Sequence, residues 1–284
     1  PRSRNDEQKI GQSVAKLATE CPTFIFNRDA QTHELVVTGM SQRHVDVMIA
    51  RLKSRFQVEV DTKEPKIPYK ETISAKGEAQ YRHKKQTGGS GQFAEVWLKV
   101  EPLERGAGFE FVDEIVGGAI PNQFIPAVEK GVREQMAKGI LAGCVIEDVR
   151  VRVYFGKYHP VDSNEQAFKT ASAMAFTLAF NSAKPVLLEP VVRVDVTVPS
   201  QYMGAITGDL NGRRGRIVGM EAEGDLQTIS AEAPLAEVLR YATELSSMTG
   251  GVGAYTMEFC RYDIVPAQVA QKVIAAAKAA KENA

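Results

Sequence analysis

Val153-Tyr-Phe-Gly-Lys-Tyr-His159-Pro-Val-Asp-Ser163 carries an apolar strand into a loop and the loop into a helix. Pro160 biases His159 away from helical geometry, because a proline ring clashes with the helical conformer of the residue before it. Ser163 with Gln166 three residues later has the spacing of a capping box, so the helix is expected to begin there. Fixed elements on both sides leave His159 held in place and pointing outward. A second loop, Lys84-Lys-Gln-Thr-Gly-Gly-Ser-Gly-Gln92, is expected to stand beside the first. Together the two loops mark a working tip.

Outward from this stretch, apolar patterning predicts strands at 70–81, 93–101 and 145–155 and helices at 121–138 and 163–181. The second helix is expected to bury Ala167, Phe168, Ala171, Met174, Ala175 and Leu178. One sheet covered by two helices makes an α+β sandwich. Lys63-Glu-Pro-Lys-Ile-Pro68 leads into it as a linker, held extended by its two prolines.

Further out, Val191-Val-Arg-Val-Asp-Val-Thr-Val198 alternates as a strand, and Pro199 suits the first turn of a helix ending near Gly212. Strands at 216–223 and 227–233 flank Gly224-Asp225. A helix at 234–247 follows, with Leu235, Val238, Leu239 and Ala242 inward, and a strand at 254–259 closes the unit. This order is the split βαβ, ferredoxin-like arrangement.

The first segment repeats that unit without its opening strand. A helix carrying Ile10, Val14, Leu17 and Ala18 ends at Cys21-Pro22. Strands at 23–26 and 34–38 precede a helix opened by Ser41, with Val45, Met48, Ile49 and Leu52 on one face, and a strand at 57–61. The expected fold class is therefore α+β, with two ferredoxin-like βαββαβ modules flanking the sandwich. The expected domains are 1–66, 67–187 and 188–284, the last including an Ala-rich C-terminal helix at 266–280. The missing strand, and a start at Pro1 without a methionine, read as a piece of a longer polypeptide.

Hydrophobic residues make up 44% of the 284 and charged residues 25%, with a formal net charge of +0. That is the balance of an ordinary globular protein, and nucleic-acid contact would have to come from local basic patches. Cys21, Cys144 and Cys260 are far apart and show no CxxC or Cys/His spacing, which supports neither a structural zinc nor a disulfide framework. A reducing, cytoplasmic setting fits. There is no signal peptide and no apolar run long enough to cross a bilayer.

Three groups of residues could carry function. His159 in its loop is one, although a lone exposed histidine is more often inert. Asp162 and Ser163 do not make it a triad, since triad members converge from separate elements. The loop bearing Gly88, Gly89, Ser90 and Gly91 permits close backbone approach but lacks the Gly-Lys-Ser/Thr of a phosphate-cradling loop. Arg82, Lys84 and Lys85 beside it could pair with phosphates, and Gln86 could read hydrogen-bonding edges. A solvated hairpin connection explains the same residues equally well. Arg213, Arg214 and Arg216, in Gly208-Asp-Leu-Asn-Gly-Arg-Arg-Gly-Arg216, put cations at a helix C-terminus, where the dipole favours them. They also make a plausible phosphate-binding corner.

Tyr158-His-Pro-Val-Asp-Ser163, Gln86-Thr-Gly-Gly-Ser-Gly-Gln92, Pro185-Val-Leu-Leu-Glu-Pro190, Gly208-Asp-Leu with Arg213-Arg-Gly215, and Ala254-Tyr-Thr-Met-Glu-Phe259 together resemble the last three domains of elongation factor G. The ordered set covers essentially the whole chain. It is most similar to the second, divergent EF-G-like paralogue that some bacteria carry. The resemblance implies domains III (truncated), IV and V, with domain IV of the ribosomal protein S5 domain 2-like type.

It also implies a parent GTPase that moves tRNA and mRNA through the ribosome, with GTP and Mg in an N-terminal G domain absent here. No cofactor, metal or catalytic residue is implied for this chain. The implied partners are the ribosome, through rRNA of both subunits and the tRNA–mRNA duplex, and the parent's G domain, with no membrane and a monomeric state. His159 matches the tip histidine that archaeal and eukaryotic counterparts modify to diphthamide, and Gln86 matches the tip glutamine. Lys84, Lys85, Gly88, Gly89, Ser90, Gly91 and Lys157 complete the implied RNA-contacting tip. Arg213, Arg214 and Arg216 would face the large subunit, and His44 matches the histidine of the family's Gly-Met-Gly-Glu-Leu-His.

This sequence departs from the family at Ser90, where arginine is usual, at Pro160, where an acidic residue is usual, and at Gly39-Met-Ser-Gln-Arg-His44. These departures bear on translocation efficiency more than on ribosome binding. A recycling factor or a ribosome-protection factor of the same architecture is one alternative, and an RNA-processing enzyme using His159 and Asp162 is another.

Overall fold

The computed structural model describes residues 4–29, 32, 34–85 and 91–282. Its contacts divide the chain into two compact units. One holds the residues up to Pro68 with Pro190–Arg261, and the other Tyr69–Glu189 with the segment from Tyr262 onward.

The chain begins with α1 (Arg4–Glu20), β1 (Ile25–Arg28), β2 (Leu35–Thr38) and α2 (Gln42–Phe56). Val14, Leu17, Phe24, Met48 and Leu52 form the core between the helices and the hairpin. Ser41 caps α2 as its sequence predicts, its hydroxyl accepting the His44 N–H at 3.2 Å. The strand expected at 57–61 does not form. Gln57 ends α2 in the left-handed conformation (φ 53°), its N–H returned to the carbonyls of Leu52 and Lys53. The next amide, Val58, also turns back to the Leu52 carbonyl. A chain folded onto its own helix end has no ladder to join, whatever its alternation. Further on, Lys63 and the Lys66 amide reach Glu34 beside the hairpin.

The middle unit contains β3 (Lys70–Ile73), β4 (Gly77–Lys85), β5 (Gln92–Pro102), β6 (Phe109–Asp113), α3 (Ile125–Lys138), β7 (Val149–Lys157) and α4 (Glu165–Ser182). Its sheet runs β4-β5-β7-β6, antiparallel except for the parallel β6–β7 pair. Ala94, Val96, Leu98 and Val100 of β5 point to the helices, where Phe124 and Phe168 stack at 4.8 Å. The single strand expected at 70–81 is two strands. The break precedes Gly77, where a Cβ would sit 2.3 Å from the Ala179 carbonyl of α4. The strand β6 was not expected. It is held by Asp148, whose carboxylate accepts the Gly106 and Gly108 amides at 3.0 and 2.9 Å.

Glu71 is fully buried in β3, yet every lone pair is used. It accepts the amides of Ile140, Leu141, Ala142 and Cys144 at 2.7–2.9 Å, which folds the segment after α3 around one carboxylate. Two expectations for α4 also fail. Met174 and Leu178 are exposed (41% and 45%), while Ser172, Phe176, Ala179 and Phe180 are buried. The helix is enclosed between the sheet and α3, so its buried arc is set by those neighbours. Gly131 of α3 lies so close that a Cβ there would be 2.2 Å from the Ser172 hydroxyl. That hydroxyl is satisfied by the Lys169 carbonyl at 3.0 Å, so a polar residue can occupy the interface.

The C-terminal module runs β8 (Pro185–Pro199), a 3-10 turn at Ser200–Tyr202, α5 (Met203–Gly212), β9 (Arg216–Glu223), β10 (Leu226–Pro234), α6 (Leu235–Val238), α7 (Tyr241–Thr249) and β11 (Ala254–Ile264). Sheet order β11-β8-β10-β9 places the fourth strand beside the first, then the third, then the second, the ferredoxin-like order. Val192, Val194, Val196 and Val198 alternate inward against Ile206, Leu210, Tyr241 and Leu245. The helix expected at 234–247 is two helices. The chain then ends in α8 (Ala267–Glu282).

Candidate nucleic-acid interface

The last paired residues of β4 and β5 are Lys85 and Gln92. Lys157, at the end of β7, stands opposite Glu95. Because β7 lies beside β5, the β4–β5 loop and the β7–α4 loop leave the sheet at the same end. Gln86, Gly88, Gly89 and Ser90 lie outside the described residues. Lys84, Lys85, Gly91, Gln92, Phe93, His159 and Asp162 line one open concavity.

Backbone and short side chains bind the β7–α4 loop to Gly91 and to the start of β5. The Phe93 N–H donates to the Asp162 carbonyl at 2.9 Å, and the Ser163 hydroxyl donates to the Phe93 carbonyl at 2.7 Å. The same hydroxyl accepts the His159 N–H at 2.8 Å, and the Ser163 N–H returns to the His159 carbonyl at 3.1 Å. Asp162 Oδ1 accepts the Gly91 N–H at 3.0 Å. A Cβ on Gly91 would meet that carboxylate at 3.0 Å, so glycine gives it room.

Ser163 is therefore not the helix cap expected from its spacing. Asn164 caps α4, its Oδ1 accepting the Ala167 N–H at 2.8 Å. The register is one residue later because Ser163 is engaged across the tip.

His159 is half exposed (51%), and its ring stands edge-on to Phe93 with centroids 6.4 Å apart. Two amides, Val161 and Asp162, aim at Nδ1 from 3.3 and 3.2 Å. An Nδ1 that accepts leaves the proton of the neutral ring on Nε2, so the ring offers a donor to a partner. Asp162 Oδ2 lies 3.3 Å from the same nitrogen. The same carboxylate is held through Oδ1 by the Gly91 amide. No triad results, because the Ser163 hydroxyl is committed to Phe93.

Lys84, Lys85, Gly91 and His159 are thus brought together, with Lys157 on the adjoining strand. Sequence reasoning did not give Phe93, Asp162 and Ser163 their role as the clamp. Two short polar side chains directly after His-Pro-Val were the available signal.

The arginine corner belongs to the other unit. Arg213 donates to both Asp209 carboxylate oxygens at 2.7 and 3.0 Å and to the Glu237 carbonyl at 2.9 Å. It also pairs with Glu244 and lies over the Tyr241 ring, 5.7 Å from its centroid. The Asp209 hydrogen bond raises its pKa further. Arg213 thereby ties the end of α5 to α6 and α7. Arg214, in the left-handed conformation (φ 59°), reaches Glu237 at 3.0 Å, and Arg216 is 72% exposed beside Glu232.

Among the described residues there is no cluster of three His, Cys, Asp or Glu side chains able to hold a metal, and no helix long and apolar enough to cross a membrane. The element order and sheet topology fit the class implied by the sequence, the C-terminal domains of a translation elongation factor. Three family models match in succession: Elongation Factor G, domain III over residues 1–64, Elongation factor G, domain IV over 65–184, and Elongation factor G C-terminus over 186–273.

An elongation factor G-like protein of Thermotoga maritima is 48% identical over 275 residues, covering 96% of this chain and 40% of that protein. A crystal structure from Thermus thermophilus matches with a TM-score of 0.84 and 42% identity, over 98% of this chain and 42% of that one. The chain belongs to the elongation factor G family. It spans about two fifths of the length of these relatives.

Proposed function

We propose that this chain is the ribosome-engaging C-terminal part of an elongation factor G-like translational GTPase that promotes tRNA–mRNA translocation. The clamp carries the reading. Asp162 and Ser163 fasten the β7–α4 loop to Gly91 and the start of β5, and His159 is presented there with Lys84 and Lys85 around it. A rigid basic tip with an exposed donor suits pushing against an RNA duplex read by shape and hydroxyls. Gln86, Gly88, Gly89, Ser90, Gly91 and Lys157 belong to the same proposed contact in the decoding region. The corner of Arg213, Arg214 and Arg216 faces the large subunit, with Arg213 setting its geometry.

The parent carries GTP and Mg in its G domain, acts as a monomer in the cytoplasm, and needs no catalytic group from this chain. Cosedimentation with ribosomes tests the proposal. The 284-residue chain should bind ribosomes and be displaced by a full-length elongation factor G. A chain that stays in the supernatant at every ribosome concentration overturns it.

A further inference from the structure

The face of the middle sheet turned away from the helices is open, and its tip-proximal half interleaves aromatic rings with cations. On β5, Phe93 and Trp97 point to this face, and Phe155 of β7 stands directly opposite Trp97. The Trp97 and Phe155 rings meet edge to face at 5.6 Å, and Phe155 remains 38% exposed. A register shift between Trp97 and Leu98 puts one extra β7 residue here, and such bulges re-aim side chains. Lys84 pairs with Phe93, Arg82 with Glu95, and Lys157 flanks Glu95 from the other side.

Charge differs along the face. In the half away from the tip, Arg150 and Arg152 are matched by Glu101, Glu110 and Glu114. In the tip half, Arg82 and Lys157 act on Glu95 and Lys84 shares a concavity with Asp162, with Lys85 beside them, so cations outnumber carboxylates. The aromatic residues therefore sit in the positively charged half.

We propose that this sheet face is a single-stranded RNA contact, with unpaired bases stacking on Phe155 and Trp97 and phosphates running past Lys84, Arg82 and Lys157. Aromatic platforms beside cations bind single strands because every base offers a π-face and every linkage a charge. An acidic protein segment would satisfy the lysines but leave the rings without planar partners. The inference rests on the proposed tip, with which it shares Lys84 and Lys157, and extends it onto Trp97, Phe155 and Arg82; the Phe155→Leu arm separates the two, because Phe155 lines no part of the tip concavity.

Trp97 is the only tryptophan of the 284 residues, so its fluorescence reports directly on this face. Oligouridylate of roughly 12 nucleotides, a length one such surface can hold, should quench it on titration into the full chain. Polyphosphate and polyglutamate should not. Phe155→Leu keeps apolar volume without the ring and should weaken oligouridylate binding about tenfold, the scale of one lost base stack. Lys84→Gln and Lys157→Gln should weaken it and flatten its salt dependence. Arg150→Gln, in the neutralised half, should leave it unchanged. Equal quenching by polyglutamate, no quenching at saturating RNA, or full affinity in a folded Phe155→Leu chain would each overturn the assignment.

Discussion

The Ser163 hydroxyl donates to the carbonyl oxygen of Phe93 at 2.7 Å, across 70 residues of sequence. One oxygen thereby joins the loop that precedes α4 to the strand that follows the glycine loop, and it accepts the His159 amide as well. The orientation of His159 depends on this bridge.

Ser163→Ala should remove both bonds and leave the fold intact, at a cost of about 1–2 kcal/mol. Hydrogen exchange should speed up at the amides of His159 and Ser163 and stay unchanged in β5 beyond Val96. Unaltered protection at His159 would show that the bridge does not hold the loop.

Glu71→Gln should be far more damaging. Four backbone donors converge on the carboxylate, and an amide offers one acceptor and turns an N–H toward two of them. The expected loss is about 3 kcal/mol in the middle unit. A urea titration followed by Trp97 fluorescence reads it, and a midpoint equal to wild type would refute the role given to Glu71.

Acid should destabilise the middle unit through Glu95 and Glu101. Burial pushes the Glu95 carboxyl up, but hydrogen bonds from Trp97 and Arg82, with the Arg82 and Lys157 charges, outweigh it and hold the group below its ordinary value. The Lys76 hydrogen bond, aided by Arg152, lowers Glu101. A carboxyl depressed in the folded state contributes stability that is fully present above its unfolded pKa, about 4.3. That stability is lost as pH falls from there through the folded values. Urea midpoints should therefore be flat above this range and drop below it, and Glu101→Gln should shrink the drop. An equal drop in the variant would remove Glu101 from the account.

In a full-length factor, His159→Ala should fold and bind ribosomes yet slow translocation by about tenfold or more, as expected when a positioning contact is lost. A fluorescently labelled mRNA measures the rate, and equal rates would count against the tip assignment. The 284-residue chain alone should neither bind GTP nor cleave RNA. RNA cleavage abolished by His159→Ala would revive the enzyme reading.

Local chemistry made much of the architecture legible. The alternation of Val192 to Val198, the Gly224-Asp225 turn and the Ser41 cap each act within a few residues, so pattern alone identified them. The same holds for the β7–α4 loop, where His-Pro between a strand and a helix is a local signal that sets where His159 lies. Family resemblance, carried by motifs in order, then supplied a role that the residues alone left open.

Tertiary structure decided what depends on partners distant in sequence. Ser163 and Asn164 are both competent caps, and the Phe93 carbonyl, 70 residues away, determined which one serves. Residues 57–61 alternate like a strand but turn back on α2, whereas Phe109–Asp113 becomes a strand because Asp148 anchors its start. Met174 looks more buriable than Ser172, yet the close approach of Gly131 selects the serine. Periodicity reports which side chains prefer to leave water; only packing establishes which of them have somewhere to go.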